Sequence, residues 1–300
     1  MPSYSETRKQ ELKHIEEEMK NDRKFKRKLS GIYRNSSDNI QRHIDADIAL
    51  LATSEGVSKA EAKKIISKTD VEVFQSTAER MVEDRDFTPK ANRELRRYNV
   101  TMRTNREELL NARINLETID LALEEERIVG AHINDEAINE YKRQAGILGM
   151  SAPSQSKMQQ MAKAAALSDV SGATFSDRIW ANQDELRKDI NNAINRALIR
   201  GENPRKAAAE IKRNVRSEYG KKKRAADRIA VTETARAQTI AARESMKDAG
   251  IDKYIWIAEP DACPICSELD GQTFMVESFT TTVPAHPHCR CAISSYVEDD

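Results

Sequence analysis

The sequence predicts a mainly α-helical protein, with a long helical N-terminal half and an α+β C-terminal domain that ends in a small Cys/His-pinned antiparallel sheet. Charged residues make up 33% of its 300 residues and aromatic residues only 5%, which is typical of long helices with thin cores. Helical periodicity recurs as far as about residue 249, and strand-like segments follow it. Lys plus Arg and Asp plus Glu both number 49, so the net charge does not indicate a nucleic-acid-binding protein. No apolar run approaches the roughly 20 residues that a membrane-spanning helix needs.

The N-terminal half is predicted to be helical along its length. Apolar stripes predict its first two helices, over residues 5–30 and 36–52. The helix that follows Thr104 is expected to end near Gly130, and a further helix to run from Asn134 towards Gly146. Later helix starts are indicated by two capping boxes and a Thr-Pro pair: Ser58–Glu61, Thr104–Glu107 and Thr88–Pro89.

A change of composition at Gly146 divides the chain into a helical N-terminal region (1–145), a linker (146–174) and a C-terminal domain (175–300). The linker is rich in Gly, Ser, Ala, Met and Gln and low in charge, which favours a hinge, with one helical stretch over residues 156–167. Its methionines are expected to fill gaps in helix packing: Met150, Met158 and Met161.

The C-terminal domain is predicted to begin with helices and to end in strands. Asn182–Glu185 indicates a helix start, Gly201 the end of that helix, and Pro204 the start of the next. A long helix is expected from about 224 to 249, closed by Gly250. Three segments rich in β-branched and aromatic residues predict an antiparallel sheet: 253–258, 272–276 and 291–297.

All four cysteines lie near the C-terminus, in Cys263-Pro-Ile-Cys266 and in the segment from His286 to Cys291. The chain opens without a secretory signal, so reduced thiols are expected, and paired cysteines then indicate a metal site. Zn²⁺ takes four tetrahedral S/N ligands, and six candidates compete for them. Cys263, Cys266 and Cys291 rank first, then His286 or Cys289, and His288 last. The alternative is a set of free thiols in a small β-rich core.

A closed site of this kind would be structural, because it leaves no position for a catalytic water. The sequence also lacks a phosphate-binding glycine loop and a Gly-x-Ser-x-Gly elbow, so we expect no catalytic residues and no enzyme. Two alternatives stay open: a metal-dependent nuclease that uses His286 or His288, and a zinc-containing DNA-binding module.

Two basic clusters are candidates for contact with DNA phosphates or an acidic partner. The alternative explanation for the first cluster is a solvated helix face. The candidate residues are Lys24, Lys26, Arg27 and Lys28 in the first cluster, and Lys221, Lys222, Lys223 and Arg224 in the second.

Glu233 falls within the apolar stripe of the 224–249 helix, where an unpaired carboxylate would be costly. Its expected partner is Arg236 or Arg290, in a salt bridge that locks the helix to the sheet. A catalytic acid is not expected, because no matching base or nucleophile is evident.

The C-terminal motifs, taken together, resemble the phage Mu F-like head morphogenesis family. The resemblance lies in Tyr254-Ile-Trp256, Asp261 to Cys266, Leu269-Asp-Gly271 and Pro284 to Cys291, with Thr232-Glu233 and Arg236 on the preceding helix. It covers about residues 175–300.

The resemblance implies a minor head protein of a tailed phage. Such a protein would lie in the capsid interior near the portal, after a stage in the host cytoplasm during assembly. Its expected partners are the portal protein, other capsid or scaffold proteins and packaged DNA, and its expected cofactor is a structural zinc ion.

Overall fold

The computed structural model describes residues 4–52, 106–168, 172–199, 204–278 and 283–297. Within these ranges the helices are α1 (Tyr4–Ala52), α2 (Arg106–Ile147), α3 (Gln155–Ala166), α4 (Phe175–Ile199), α5 (Pro204–Asp248) and α6 (Pro264–Leu269). The strands are β1 (Lys253–Ile257), β2 (Thr273–Met275) and β3 (Ala292–Tyr296). The predicted fold class, mainly helical with a small C-terminal antiparallel sheet, is confirmed. In the described ranges, no helix is both long and apolar enough to cross a membrane.

Contacts divide the chain into two compact units built from separate stretches of sequence. The first contains residues 1–28, 127–178 and 226–300, and the second contains residues 29–126 and 179–225. The predicted division into 1–145, 146–174 and 175–300 follows composition rather than contacts, and it stays a prediction. The starts proposed at Ser58–Glu61 and Thr88–Pro89 lie outside the described residues.

Three long helices each replace a predicted pair of shorter ones. The expected breaks at 30–36, at Gly130 and before residue 224 are wrong, because α1, α2 and α5 run through them. Gly130 does not end a helix: a Cβ atom there would lie 3.1 Å from the ring of Phe175, so the glycine permits close packing. Gly250 does end α5, with φ of 69° and a bond from the Ile251 amide to the Met246 carbonyl.

Helix α4 begins seven residues before the predicted capping box at Asn182–Glu185. The actual cap is reciprocal: the Asp177 amide donates to Thr174 Oγ1, and the Thr174 amide donates to the Asp177 carboxylate. Asn182 and Gln183 are instead buried polar residues inside the helix.

Those two side chains belong to a polar network in the core of the second unit. Gln183 Nε2 donates to Tyr33 Oη at 2.7 Å and to Glu125 Oε2 at 2.6 Å, and Tyr33 Oη donates to the same carboxylate oxygen at 2.8 Å. Burial, together with the Glu125 carboxylate, raises the pKa of Tyr33 well above its usual value, so the phenol remains a donor. Asn182 Nδ2 joins α4 to the Lys222 carbonyl.

Part of the predicted linker is a packed helix. Ser154 caps α3, and Met158 and Met161 pack with Tyr141 and Ala241, as expected for methionines that fill gaps. The predicted helix over 156–167 is confirmed as Gln155–Ala166. One face of this helix is buried, and a hinge in the rest of the linker stays a prediction.

The sheet has the order β2-β1-β3, with both pairings antiparallel, as predicted. Tyr254 and Trp256 lie on the face that packs with Ala242 and Met246 of α5. Arg243 of α5 donates to the carbonyls of Val276 and Glu277 just after β2. The sheet therefore forms one core with the C-terminal part of α5.

We expect Gln183→Ala to destabilise the second unit, because it removes one donor from the buried Glu125 carboxylate and one from the Tyr33 phenol oxygen. Loss of such a partner typically costs about 1–3 kcal/mol. Urea unfolding followed by circular dichroism measures the change, with Gln159→Ala on the exposed face of α3 as the matched control. Equal stabilities of the two variants would contradict a supporting role for this network.

Candidate metal centre and its supporting contacts

The Cys263-Pro-Ile-Cys266 segment forms the first turn of α6. Cys263 is the N-cap residue, and Pro264 occupies the first turn, where a missing amide proton costs nothing. The backbone amide of Cys266 is the main cause that lowers the pKa of the Cys263 thiol. Burial raises the pKa of Cys266 to about 12 in the absence of a cation. This short helix presents both sulfur atoms to the loop that precedes β3.

His286 faces the two sulfur atoms with one ring nitrogen. Its Nε2 lies 3.2 Å from the sulfurs of both Cys263 and Cys266. Its Nδ1 lies 2.9 Å from the Pro287 carbonyl, which raises the pKa of the ring and favours the proton on Nδ1. A histidine that binds a metal typically donates its other N–H to a carbonyl or carboxylate in this manner.

Cys289 and Cys291 complete the cluster from the other side of Cys266. The sulfurs of Cys266, Cys289 and Cys291 lie within 4.8 Å of one another, as do the ligand atoms of Cys263, Cys266 and His286. Cys266 therefore belongs to both groups. All four thiols are free, and the Cys291 thiol is the main cause that lowers the pKa of Cys289 to about 6.

The spacing suits a shared ion better than a covalent bond. The sulfurs of Cys266 and Cys289 are 3.8 Å apart, well beyond a disulfide length of about 2.05 Å. Two sulfurs at about 2.3 Å from one tetrahedral ion have a separation close to this value. The Cys/His cluster, defined as Cys263, Cys266, His286, Cys289 and Cys291, could hold a metal ion.

His288, the candidate ranked last, lies outside the Cys/His cluster. Its backbone has φ of 67°, its side chain is exposed, and its amide donates to Thr232 Oγ1 at 3.1 Å. Thr232 belongs to the Thr-Glu-x-x-Arg motif of α5. The two halves of the sequence pattern therefore meet through this hydrogen bond.

Glu233 is buried between two arginines. Arg236 Nε donates to Glu233 Oε2 at 2.8 Å, and Arg178 Nη1 lies 3.2 Å from the other carboxylate oxygen. Arg236 also donates to the Ala165 carbonyl and to Ser168 Oγ at the end of α3. The expected pairing with Arg236 is present, but the expected lock to the sheet is wrong, because Glu233 and Arg236 join α5 to α4 and to the end of α3.

Arg290 makes the contact between the cysteine loop and the helices. Its Nε donates to Asp22 Oδ2 at 2.7 Å and its Nη2 to Asp22 Oδ1, which gives a buried two-bond fork. Its Nη1 donates to Gln238 Oε1 at 2.7 Å, and its backbone amide donates to Glu259. Gln238 Nε2 in turn donates to Glu18 at 2.6 Å.

The sequence interpretation missed Asp22, Glu18 and Gln238. A signal for the first two was present in α1, where Glu11, Glu18 and Asp22 share a helical stripe with Ile15. A carboxylate at an apolar stripe position requires a buried partner, at Glu18 and Asp22 as at Glu233.

The basic clusters differ in how far they reach solvent. Lys24, Arg27 and Lys28 are exposed, and Lys26 is half-buried. In the second cluster, Lys222 is only 12% exposed and pairs with Glu185 and Asp189. Lys221 pairs with Glu218, Arg224 is exposed and Lys223 is half-buried. The Lys222 ammonium is thus already paired with two exposed carboxylates, and little of its side chain reaches solvent.

This geometry defines a class: a mainly helical protein whose C-terminal three-stranded sheet is joined to a long helix beside a Cys/His cluster. Residues 188–294, about a third of the chain, match the family described as Phage Mu protein F like protein. The match confirms the resemblance for this segment and indicates a phage head-related protein associated with the virion. No curated protein and no solved structure matched the chain.

We expect Glu233→Gln to lower the stability of the first unit, because it leaves two arginines beside a neutral amide in a buried site. Breaking a buried pair from one side typically costs about 3–5 kcal/mol. Thermal and urea unfolding measure the loss. Glu244→Gln on the same helix is the control, since its contacts with Lys247 and Arg243 are at the surface. A melting curve identical to that of the control would contradict a stabilising role for the buried contacts of Glu233 with Arg236 and Arg178.

Proposed function

We propose that this chain is a minor head protein of a tailed phage, which lies in the capsid interior near the portal and associates with the portal protein during head assembly. The observation that carries the proposal is the family match over residues 188–294. The contact between Thr232 and His288 supports it, because the helix motif and the loop motif form one structure. The role proposed here is structural rather than catalytic.

We propose that the Cys/His cluster binds one structural Zn²⁺. The donor set supports this assignment, because thiolates and one imidazole are typical ligands of a closed tetrahedral zinc site. Cys263, Cys266 and His286 supply three ligands, and Cys289 is favoured as the fourth by its distance to Cys266. Cys291 would then remain beside Cys289 as a hydrogen-bonding thiol. Four protein ligands leave no position for a reacting water, which supports a structural role.

The exposed residues of the basic clusters support a secondary contact with packaged DNA. Lys24, Arg27 and Lys28 lie on the exposed side of α1 and Arg224 on that of α5. Contacts of this kind are electrostatic and independent of sequence, and the affinity would fall as salt is raised. Other capsid or scaffold proteins are proposed partners through the same assembly role.

The purified protein is expected to contain one zinc ion per chain. Cys263→Ser should lose it and loosen the terminal sheet, because binding energy at a small structural site contributes directly to folding, on the order of 10 kcal/mol in zinc peptides. Elemental analysis and thiol titration, before and after denaturation, measure the effect. His288→Ala is the control, since His288 lies outside the Cys/His cluster, and it should keep the metal. Protein free of zinc, with four reduced and buried thiols, would contradict the assignment.

Portal association is tested by co-expression with the portal protein of the same phage and size-exclusion chromatography. We expect a stable complex, and we expect the protein to copurify with portal in virions. Separate elution at low and at physiological salt would count against the proposed role.

A plasmid-nicking assay with Mg²⁺ or Mn²⁺ tests the structural role, and cleavage that is lost in His286→Ala would overturn it in favour of a nuclease.

A further inference from the structure

Residues 4–28 of α1 are held in the first unit by polar contacts. Glu11, Glu18 and Asp22 are all buried and share one helix face with Ile15. An ordinary amphipathic helix would place apolar residues at these positions. Helix α1 therefore has a stripe of carboxylates where a hydrophobic seam would be expected.

Each carboxylate of this stripe has a partner on another element. Arg143 of α2 donates to Glu11 at 2.8 Å, Gln238 of α5 donates to Glu18 at 2.6 Å, and Arg290 makes the fork to Asp22. A further pair, Arg8 with Asp270 at 2.7 Å, joins the start of α1 to the end of α6. The four contacts define what we name the polar seam.

A half-open pocket of about 40 Å³ is lined in part by residues of the polar seam. Its polar lining includes His14, Glu18, Glu140, Arg143, Gln238 and Arg290. A pocket of this volume has room for water. At Glu11 and Asp22 the polar seam depends on charge pairing, and removing the arginine leaves a buried carboxylate uncompensated.

Two of the four contacts begin on the metal-binding segments. Arg290 lies between Cys289 and Cys291 in the sequence. The backbone conformation that brings those two sulfurs close to Cys266 therefore also places the Arg290 guanidinium beside Asp22. Asp270 caps the end of α6, the short helix that begins with Cys263, and its carboxylate also accepts from the Ala258 amide. The positions of both side chains depend on loops that the cluster holds.

We infer that metal binding at the Cys/His cluster controls the docking of residues 4–28, so that loss of the metal releases this segment of α1. The inference rests on the proposed zinc site and adds a consequence for the N-terminal segment. Because coupling between two binding events is reciprocal, weakening the polar seam must also weaken metal binding. The segment that would be released carries the exposed basic residues Lys24, Arg27 and Lys28.

Hydrogen exchange on the full chain tests the control by metal. In protein stripped of zinc by a chelator, amides of residues 4–28 are expected to exchange at least about fivefold faster, the lower end of typical coupling between linked sites. Residues 33–46 belong to the same helix but to the other unit, so they serve as the internal control and should be unchanged. Protein that has lost its zinc but keeps full protection over 4–28 overturns the inference.

The reciprocal effect is tested with Asp22→Asn, which keeps the shape of the side chain and removes the charge that Arg290 needs. Zinc affinity, measured by competition with a chromogenic chelator, is expected to fall by roughly 5- to 150-fold. Glu17→Gln, an exposed carboxylate on the same helix, is the matched control and should bind zinc as the native chain does. Protection of residues 33–46 verifies that each variant is folded.

The two measurements separate the inference from the zinc assignment. A chain that takes up no zinc overturns the assignment, and the inference with it. A chain that binds one zinc ion with equal affinity in Asp22→Asn and Glu17→Gln overturns the inference alone. Arg290→Lys gives a second check, because lysine keeps the charge but cannot form the fork, and it should reproduce the faster exchange of residues 4–28.

Discussion

The buried fork between Arg290 and Asp22 is the interaction on which the C-terminal structure depends. Its two partners are 268 residues apart in the chain, and both are almost fully buried. A guanidinium in such a position must be paired, since an isolated buried charge would cost far more than the fork contributes. The position of the cysteine loop therefore depends on α1, because Arg290 needs Asp22 as its partner. Removing either partner of such a pair is strongly destabilising, because the other charge is then buried without compensation.

The C-terminal segment that contains the sheet and the Cys/His cluster has a small apolar core. The three strands are short, and the apolar cluster around Tyr254 and Trp256 is completed by Ala242 and Met246 from α5 and by three of the cysteines. A segment of about fifty residues rarely stabilises itself by burial alone, and a metal is one usual remedy. Attachment to α5 is another, and Arg243 provides it by bonding the carbonyls of Val276 and Glu277. The buried cysteines thus contribute to the apolar core, and cysteine sulfur atoms are also the ligands of the proposed ion.

The sequence was informative where a local rule had no competitor. Gly250 ended α5 and the three strands paired as expected, because the left-handed turn and the β-branched segments have few alternative structures. The predicted helix end at Gly130 and the predicted helix start at Asn182 are wrong, because each of these residue types has two structural roles. Glycine ends helices and also admits a close neighbour, here the ring of Phe175. Asparagine caps helices and also satisfies buried polar atoms, here Tyr33 Oη and the Lys222 carbonyl. Only the tertiary partners distinguish these uses.

The same limit explains why the candidate site was predicted in part. Cysteine spacing is local and has few meanings, so the Cys/His cluster could be proposed from the sequence. The partners of Arg290 could not, because nothing adjacent to Arg290 identifies Asp22. The helical periodicity of α1 does carry a signal, because it places three carboxylates on the buried stripe of the helix. Those carboxylates require cations or hydrogen-bond donors from other elements, which are Arg143, Gln238 and Arg290. A helix that buries carboxylates is stable only beside those partners. The first helix of this chain therefore depends on its last loop, and a change at either end of the sequence is felt at the other.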